Sequence, residues 1–572
     1  IVQMAFDKAE KKSHLNFYKL PEPILELILD ITVKAIKKEN LFNFPEIDFS
    51  KELLLSEQIE LKQQLEALDL KISDDEGMFA FWHSFENVVK HFVLSLETIA
   101  RNDNAHGGNI FNAELIHFTT DLNYHVERMI VSFFGEQKAE MGLFAKNRRQ
   151  LLVNVDVVSG LGSNRTPQQQ QEETDKVKLP TEVDLTGQQL VNGYLKNTYL
   201  ENIFSGTTQA TIPLSLRFEH CHIIAGTGHG KTQLIQKLVL DDIDANRGFM
   251  VIDSQGDIIR KISMLKVFDK DFENNIADKL VLINPEDVDF PVALNMFSLN
   301  SDDGNNQNIL ELHKQMLINS AIDLYEYLFG AIFGAELTSK QGTIFRYVAK
   351  LMAEIPNATI HTLRQLMKDG KVYQKYIDRL DGSAKDFFNT EFFSTSFAQT
   401  KRQILSRLWA VLSNETLENL FSSSNNKVNI FEAMNEGKII LVNTSKSLLQ
   451  AEGSKILGRF FISMTAQAVI KRATIPENER IPFMVYIDEA QEYIDEKIED
   501  MLNQARKYKV GFTLSHQNLN QLGFLKHTVF SSTSIKLAGG ISAKDSSDLS
   551  LEMRTPKEQL LNVRKVDEQW AE

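Results

Sequence analysis

The stretch Ala225-Gly226-Thr227-Gly228-His229-Gly230-Lys231-Thr232 carries the most specific chemistry in this chain. It has the spacing of a phosphate-binding loop, with Ala in place of the first glycine. In such a loop successive backbone N–H groups wrap a β-phosphate, and glycines allow the backbone angles and the close approach. Lys231 is spaced to reach the β- and γ-phosphates, and the Thr232 hydroxyl to ligate Mg2+. The cradle spans Gly226, Thr227, Gly228, His229, Gly230, Lys231, Thr232 and Gln233, with His229 expected to contribute its backbone only. An apolar run, Cys221–Ala225, leads in. An amphipathic helix from Gln233 to Leu240 leads out and turns its positive dipole end toward the anion. Composition alone yields this pattern about 0.04 times in a chain of this length. ATP and Mg2+ are the ligands it implies.

A second cluster follows far along the chain. Phe483-Met484-Val485-Tyr486-Ile487-Asp488-Glu489 reads as an apolar strand ending in two carboxylates. An Asp at a strand tip beside a phosphate loop holds Mg2+ through water. A Glu one residue on faces differently and polarises the attacking water. Thr232 and Asp488 are thus the candidate metal site and Glu489 the candidate base. A strand ending in Asp-Glu is common by itself, so its weight comes from the pairing with the loop. A helix from about 497 to 508 ends in Arg506-Lys507-Tyr508-Lys509, which solvated residues completing a helix dipole would also explain. The next strand ends Ser515-His516-Gln517, placing an amide at the sheet edge. Gln517 is either a sensor of the γ-phosphate or an ordinary turn residue.

Positioning these groups takes more than one core, because 572 residues exceed a single domain of about 150. The composition, 43% hydrophobic and 24% charged, is that of globular proteins and excludes collagen-like, coiled-coil and disordered chains. A net charge of −15 excludes a protein that coats nucleic acid with its whole surface, though a local basic strip such as a pore lining remains open. Cys221 is the single cysteine, which excludes a disulfide framework and a four-cysteine zinc site. No run of 18 uncharged apolar residues occurs, so no membrane segment is expected within this sequence. It starts at Ile1 rather than Met, which leaves room for a preceding anchor.

Residues 1–158 read as a helical N-terminal domain. Ile24, Ile28, Ile31 and Ala35, then Phe81, Phe85, Val88, Phe92 and Leu96, repeat at helical spacing. His83, His91, His106, His117 and His125 lack metal-ligand spacing and are expected to be solvated or packed. Residues 159–178, with Gly-Leu-Gly-Ser-Asn and four glutamines, read as a linker. Seven short apolar runs then alternate with helices: Cys221–Ala225, Phe249–Asp253, Leu280–Ile283, Lys438–Val442, Phe483–Asp488, Gly511–Ser515 and Ser534–Leu537. That pattern predicts a mostly parallel sheet covered on both faces, an α/β core. The core is split into 179–304 and 431–572 by an all-α insertion at 305–430. There Ile309, Leu312, Met316, Ser320, Leu324 and Tyr327, then Phe345, Val348, Leu351, and later Ile404, Leu408 and Leu412, carry helical spacing.

Five stretches together resemble the HerA/FtsK superfamily of ring-shaped DNA-pumping ATPases, within it the HerA-like and conjugative type IV secretion coupling branches. They are Arg217 to Thr232, Val251 to Asp257, Tyr486 to Gln491, Ala505 to Gly511, and Ser515 to Gln517. Ser254 and Gln255 depart from the family's usual Pro and basic or His residues. The resemblance spans about Leu179 to Val563 and implies a RecA-like P-loop core, a homohexamer with nucleotide between subunits, and DNA through a central channel. It also implies that Arg506 serves the neighbouring subunit's ATP and that Gln517 senses the nucleotide. Turns around Arg260 and Lys261 and around Thr444-Ser445-Lys446 are the candidate channel linings. Without an anchor or a strand-rich N-terminal barrel, a free-standing cytoplasmic ring is expected, working beside a nuclease or other effector in phage defence. The alternatives are an ATPase energising conjugative secretion and a regulatory nucleotide-binding scaffold.

Overall fold

The computed structural model describes residues 22–39, 50–72, 75–96, 109–185, 187–295, 297, 319, 322, 338–494, 498–555 and 557–562. Two compact units meet in sequence at Pro213 and Leu214. In the first, helices Glu22–Glu39, Asp75–Ser95, Leu122–Val131, Ala145–Val158 and Gly187–Tyr194 enclose one apolar core. The series read from spacing is its interior: Ile24, Ile28, Ile31 and Ala35 are at most 3% exposed, and Phe81, Phe85, Val88, Phe92 and Leu96 at most 1%. His91 and His125 lie buried with their Nδ1 atoms 3.2 Å apart, whereas His106 lies outside the described residues.

Two features of this unit differ from the sequence reading. Strands β1 (Asn109–Glu114) and β2 (Thr207–Ile212) pair antiparallel across a long sequence gap. Both are short and largely polar, so local periodicity gives them no signal. The stretch expected to be a linker, 159–178, belongs to the first unit. Thr166 caps the helix Pro167–Glu172 with a reciprocal capping box. Arg165 reaches Asp156 at 2.7 Å with both side chains 5% exposed, and the Tyr194 hydroxyl donates to the Lys178 carbonyl. Its polar residues find partners in the unit, which composition cannot reveal.

The second unit is built on seven parallel strands: β3 (Cys221–Ile224), β4 (Gly248–Asp253), β5 (Leu280–Ile283), β6 (Ile439–Asn443), β7 (Phe483–Ile487), β8 (Val510–His516) and β9 (Ile535–Ala538). Their order is β5-β6-β4-β7-β8-β3-β9. This is the RecA-like arrangement, with one strand, β8, between the strand that enters the phosphate loop and the strand that ends in the acidic pair. All seven apolar runs are strands, and every residue of β3, β4, β6, β7 and β8 is buried, as helices on both faces require.

Between β5 and β6 the described residues carry only helices, chiefly Ser339–Glu354, Ile360–Asp369, Thr395–Leu412 and Glu415–Phe421. The spacing read over Ile309–Tyr327 lies outside the described residues apart from Asn319 and Ile322. These helices are not a separate body. Their buried Ile344, Leu363 and Phe388 join Ile224, Met250 and Ile487 of the sheet in one core. Asn295 staples the stem, its Nδ2 donating to the carbonyls of Ala358 and Ser424. Among the described residues no helix is long and apolar enough to cross a membrane.

Two buried polar clusters tie the strands together. In one, Asp242, 0% exposed, accepts from both terminal guanidinium nitrogens of Arg217 at 2.6 and 2.9 Å, from Arg247 Nε at 2.7 Å and from the Tyr486 hydroxyl at 2.5 Å. Between β3 and β8 the His222 and His516 rings stack with Nε2 atoms 2.9 Å apart. Burial and the Lys231 charge push His516 down to about 4, and burial beside His516 pushes His222 well below the usual range. His220, buried and donating Nε2–H to the Leu502 carbonyl, is likewise near 4.

Removing the Asp242 carboxylate takes the anion from the buried Arg217 guanidinium, which it binds through both oxygens. Asp242→Asn should cost about 3–5 kcal/mol, against under about 1 kcal/mol for Lys237→Ala at an exposed ion pair, in denaturant melts. The histidines give a pH dependence. Unfolding frees them to protonate below about pH 6.5, while the folded state resists protonation to about pH 4. Their contribution is therefore present above pH 6.5 and lost as pH falls toward 4. Melting temperature should drop between pH 7 and pH 5, and His516→Gln should flatten that slope.

Candidate active site

Strand β3 stops at Ile224, and the helix Lys231–Asp244 begins after a loop in which Gly228 and Gly230 take φ of 76° and 82°. A side chain at either position would be strained there. Neighbouring strands hold the loop: Ala225 N–H donates to the His516 carbonyl, and Gly226 N–H donates to the Gly540 carbonyl at 2.9 Å. His229 does more than lend its backbone. Its ring packs against Gly540, where a Cβ would overlap the imidazole, and a Cβ on Gly539 would lie 2.8 Å from the His229 carbonyl oxygen. The Gly539-Gly540 pair thus lets the chain leaving β9 run against the phosphate loop. Thr232 sits half-buried in the first turn of the helix, and Gln233 points to solvent.

The expected residues from β7 and β8 meet this loop. Lys231, 8% exposed, bonds to Glu489 Oε1 and lies 3.3 Å from Asp488 Oδ1. Gln517 Nε2 donates to Glu489 Oε1 at 2.9 Å, while its Oε1 accepts from the Thr227 hydroxyl at 3.2 Å. Lys231, Asp488, Glu489, Gln517 and Thr227 therefore form one connected cluster across three strands. Glu489 takes φ 50° and ψ 51°, a left-handed conformation that costs a non-glycine residue about 1 kcal/mol or more. Burial alone would raise its carboxyl, but hydrogen bonds from Lys231, Gln491 and Gln517 outweigh that and hold it below the usual glutamate range. It is a carboxylate at neutral pH.

Several neighbouring side chains support this cluster. The Ser515 hydroxyl donates to Asp488 Oδ1 at 2.5 Å, and Gln491 Nε2 donates to Glu489 Oε2 at 2.7 Å. The sequence singles out the stretch Ser515-His516-Gln517 but gives no role to Ser515 itself. Asp253, at the tip of β4, lies beside Asp488, and burial together with that charge raises its carboxyl despite backbone N–H groups of Gln255 and Ile258 on its oxygens. Thr444 donates N–H and hydroxyl to the Asp253 carbonyl, each at 3.0 Å, and its hydroxyl also meets the Tyr493 phenol at 2.7 Å. The Tyr493 ring in turn occupies the space that a Cβ on Gly458 would need.

Arg506 is not brought to this cluster. It opens the short turn Arg506–Tyr508 before β8, while Gln517 follows the far end of that strand. A strand of this length spans about 20 Å at 3.3 Å per residue, beyond the reach of a side chain. Arg506 is 65% exposed and its Nη2 pairs with Glu219 Oε1 at 2.6 Å.

No family model matches the chain, and no curated protein matches it. Among solved structures, the unbound bacterial conjugative coupling protein TrwB aligns at 16% identity and a TM-score of 0.41, over 60% of this chain and 74% of that one. The plasmid coupling protein TrwB in complex with the ATP analogue ADPNP aligns at 15% identity and a TM-score of 0.43, over 62% and 82%. VirB4 of Thermoanaerobacter pseudethanolicus aligns at 14% identity and a TM-score of 0.40, over 60% and 84%.

Proposed function

We propose that the second unit hydrolyses ATP with Mg2+ and that copies of this chain, arranged as a hexameric ring, use the turnover to drive DNA through the ring. The observation that supports this reading is the meeting of Lys231, Asp488, Glu489 and Gln517 at the C-terminal edge of the sheet. The donor set suits Mg2+–ATP. Backbone N–H groups at the start of a 14-residue helix face the loop, and hard oxygen donors flank it at Thr232 and Asp488.

Each residue then has a definite task. The loop Gly226–Thr232 binds the phosphates, and Lys231 exchanges its two carboxylates for phosphate oxygens. Thr232 and Asp488 would hold Mg2+, which would supply charge neutralisation for the phosphates. Glu489, released from Lys231, accepts a proton from the attacking water. Gln517, bonded to both Thr227 and Glu489, links the loop to that base, which suits a sensor. Arg506 of an adjoining copy supplies positive charge to the transition state. For the DNA contact the reading takes Arg260, Lys261 and Lys446, all exposed in an otherwise acidic chain.

Steady-state ATP hydrolysis with and without long linear duplex DNA tests the motor. Several-fold stimulation that fades with added salt is expected, because phosphate contacts release counterions. Turnover indifferent to DNA would leave an ATPase without this cargo. Lys231→Ala should abolish turnover, whereas Glu489→Gln should keep nucleotide binding and lower kcat by about 100-fold or more. Near-normal turnover in Glu489→Gln would remove it from the role of base.

A further inference from the structure

The turn that carries Arg506 is held by two other arginines. Arg472, 0% exposed, follows the long helix Lys446–Lys471. It has no carboxylate partner among the described residues and spends its guanidinium on oxygens that carry no formal charge. Nη1 donates to the Tyr508 carbonyl at 2.8 Å, Nη2 to the Ile481 carbonyl at 2.9 Å and Nε to Asn435 Oδ1 at 2.9 Å. Burial, with the Arg480 charge added, pulls Arg472 down to about 10, so it remains a cation at neutral pH. Arg480 continues the clamp. Its Nη1 donates to the Lys507 carbonyl at 2.9 Å, its guanidinium lies 5.0 Å over the Tyr508 ring, and its Nε donates to the carbonyls of Ile475 and Arg472.

Burying a cation without a counter-ion is costly, and packing alone would be served by an apolar side chain of similar volume. What a guanidinium adds is a planar fork that fixes several carbonyls in one geometry. Here one carbonyl from each fork, Tyr508 for Arg472 and Lys507 for Arg480, belongs to the two residues that follow Arg506. The Arg506 side chain itself is exposed and pairs with Glu219, whose other oxygen accepts from the Ser534 hydroxyl. The backbone that follows Arg506 is therefore clamped, while its exposed guanidinium is engaged by Glu219 at the surface.

We propose that Arg480 and Arg472 are positioning residues that hold the Arg506–Tyr508 turn so that Arg506 reaches the nucleotide bound by an adjoining copy of this chain. This rests on the reading of Arg506 as an arginine acting between copies. Neither clamp residue touches ATP. A displaced turn weakens transition-state stabilisation in the neighbour and leaves nucleotide binding in the clamp's own chain intact.

The test compares Arg480→Ala, Arg472→Lys and Arg506→Ala full-length proteins, each alone and mixed in varied ratio with Lys231→Ala protein. Arg480 is only partly buried and its variant is the primary one; Arg472→Lys keeps the charge but loses the fork. Thermal melts report folding, and fluorescent ATP-analogue titrations report binding. Both clamp variants should lower kcat by about 10- to 100-fold with KM within about two-fold. Mixing should restore turnover, because a Lys231→Ala neighbour presents an intact Arg506 to the variant's intact loop. Unchanged kcat in both clamp variants overturns the proposal. So does a loss that mixing cannot rescue while Arg506→Ala is rescued, since the clamps would then act within their own chain. If Arg506→Ala is not rescued either, the reading of an arginine acting between copies fails and this proposal falls with it.

Discussion

A single buried ammonium sets the terms for the second unit. Lys231 is nearly excluded from water, and a lone cation there would be prohibitive. Two carboxylates meet it, and each is held by further donors: Ser515 on Asp488, Gln491 and Gln517 on Glu489. On the proposed reading, the excess of negative charge over one lysine lets the cluster take a cation as well as an anion that claims Lys231. Glu489 pays for its place with a left-handed backbone, and its three hydrogen bonds hold it there.

That charge balance works only because the sheet runs one way. Parallel strands deliver all their C-terminal tips to one edge, and the order β4-β7-β8-β3 puts Asp253, Asp488, Ser515 and the loop side by side. Had β7 neighboured β3 directly, the strand bearing Ser515 and Gln517 would have had no seat between acid and loop. The His222–His516 pair and the Asp242 cluster lock this order, since each joins residues far apart in sequence through buried polar contacts that tolerate no register shift.

The strands of the core and the meeting of the Gly226–Thr232 loop with Asp488, Glu489 and Gln517 were legible in the chain, because buried parallel strands are continuous apolar runs and phosphate chemistry fixes residue types at fixed offsets. Four matters were not. The pair β1–β2 joins polar segments whose only reason to be strands is each other. The stretch 159–178 looks like a linker by composition, yet Arg165 and Thr166 find partners that local sequence cannot name. His229 owes its packing to Gly539 and Gly540, some 300 residues later. The pairing of Arg506 with Glu219 joins residues far apart in sequence.

One consequence of the parallel sheet concerns dilution. The phosphate loop follows β3 and the Arg506 turn precedes its parallel neighbour β8, so the two stand at opposite edges of the sheet and no bending of one chain brings them together. On the proposed reading, a solitary chain can hold nucleotide but lacks the last charge needed to cleave it quickly. Specific activity then becomes a measure of assembly, rising steeply with protein concentration, and free chains cannot waste ATP before a ring has closed.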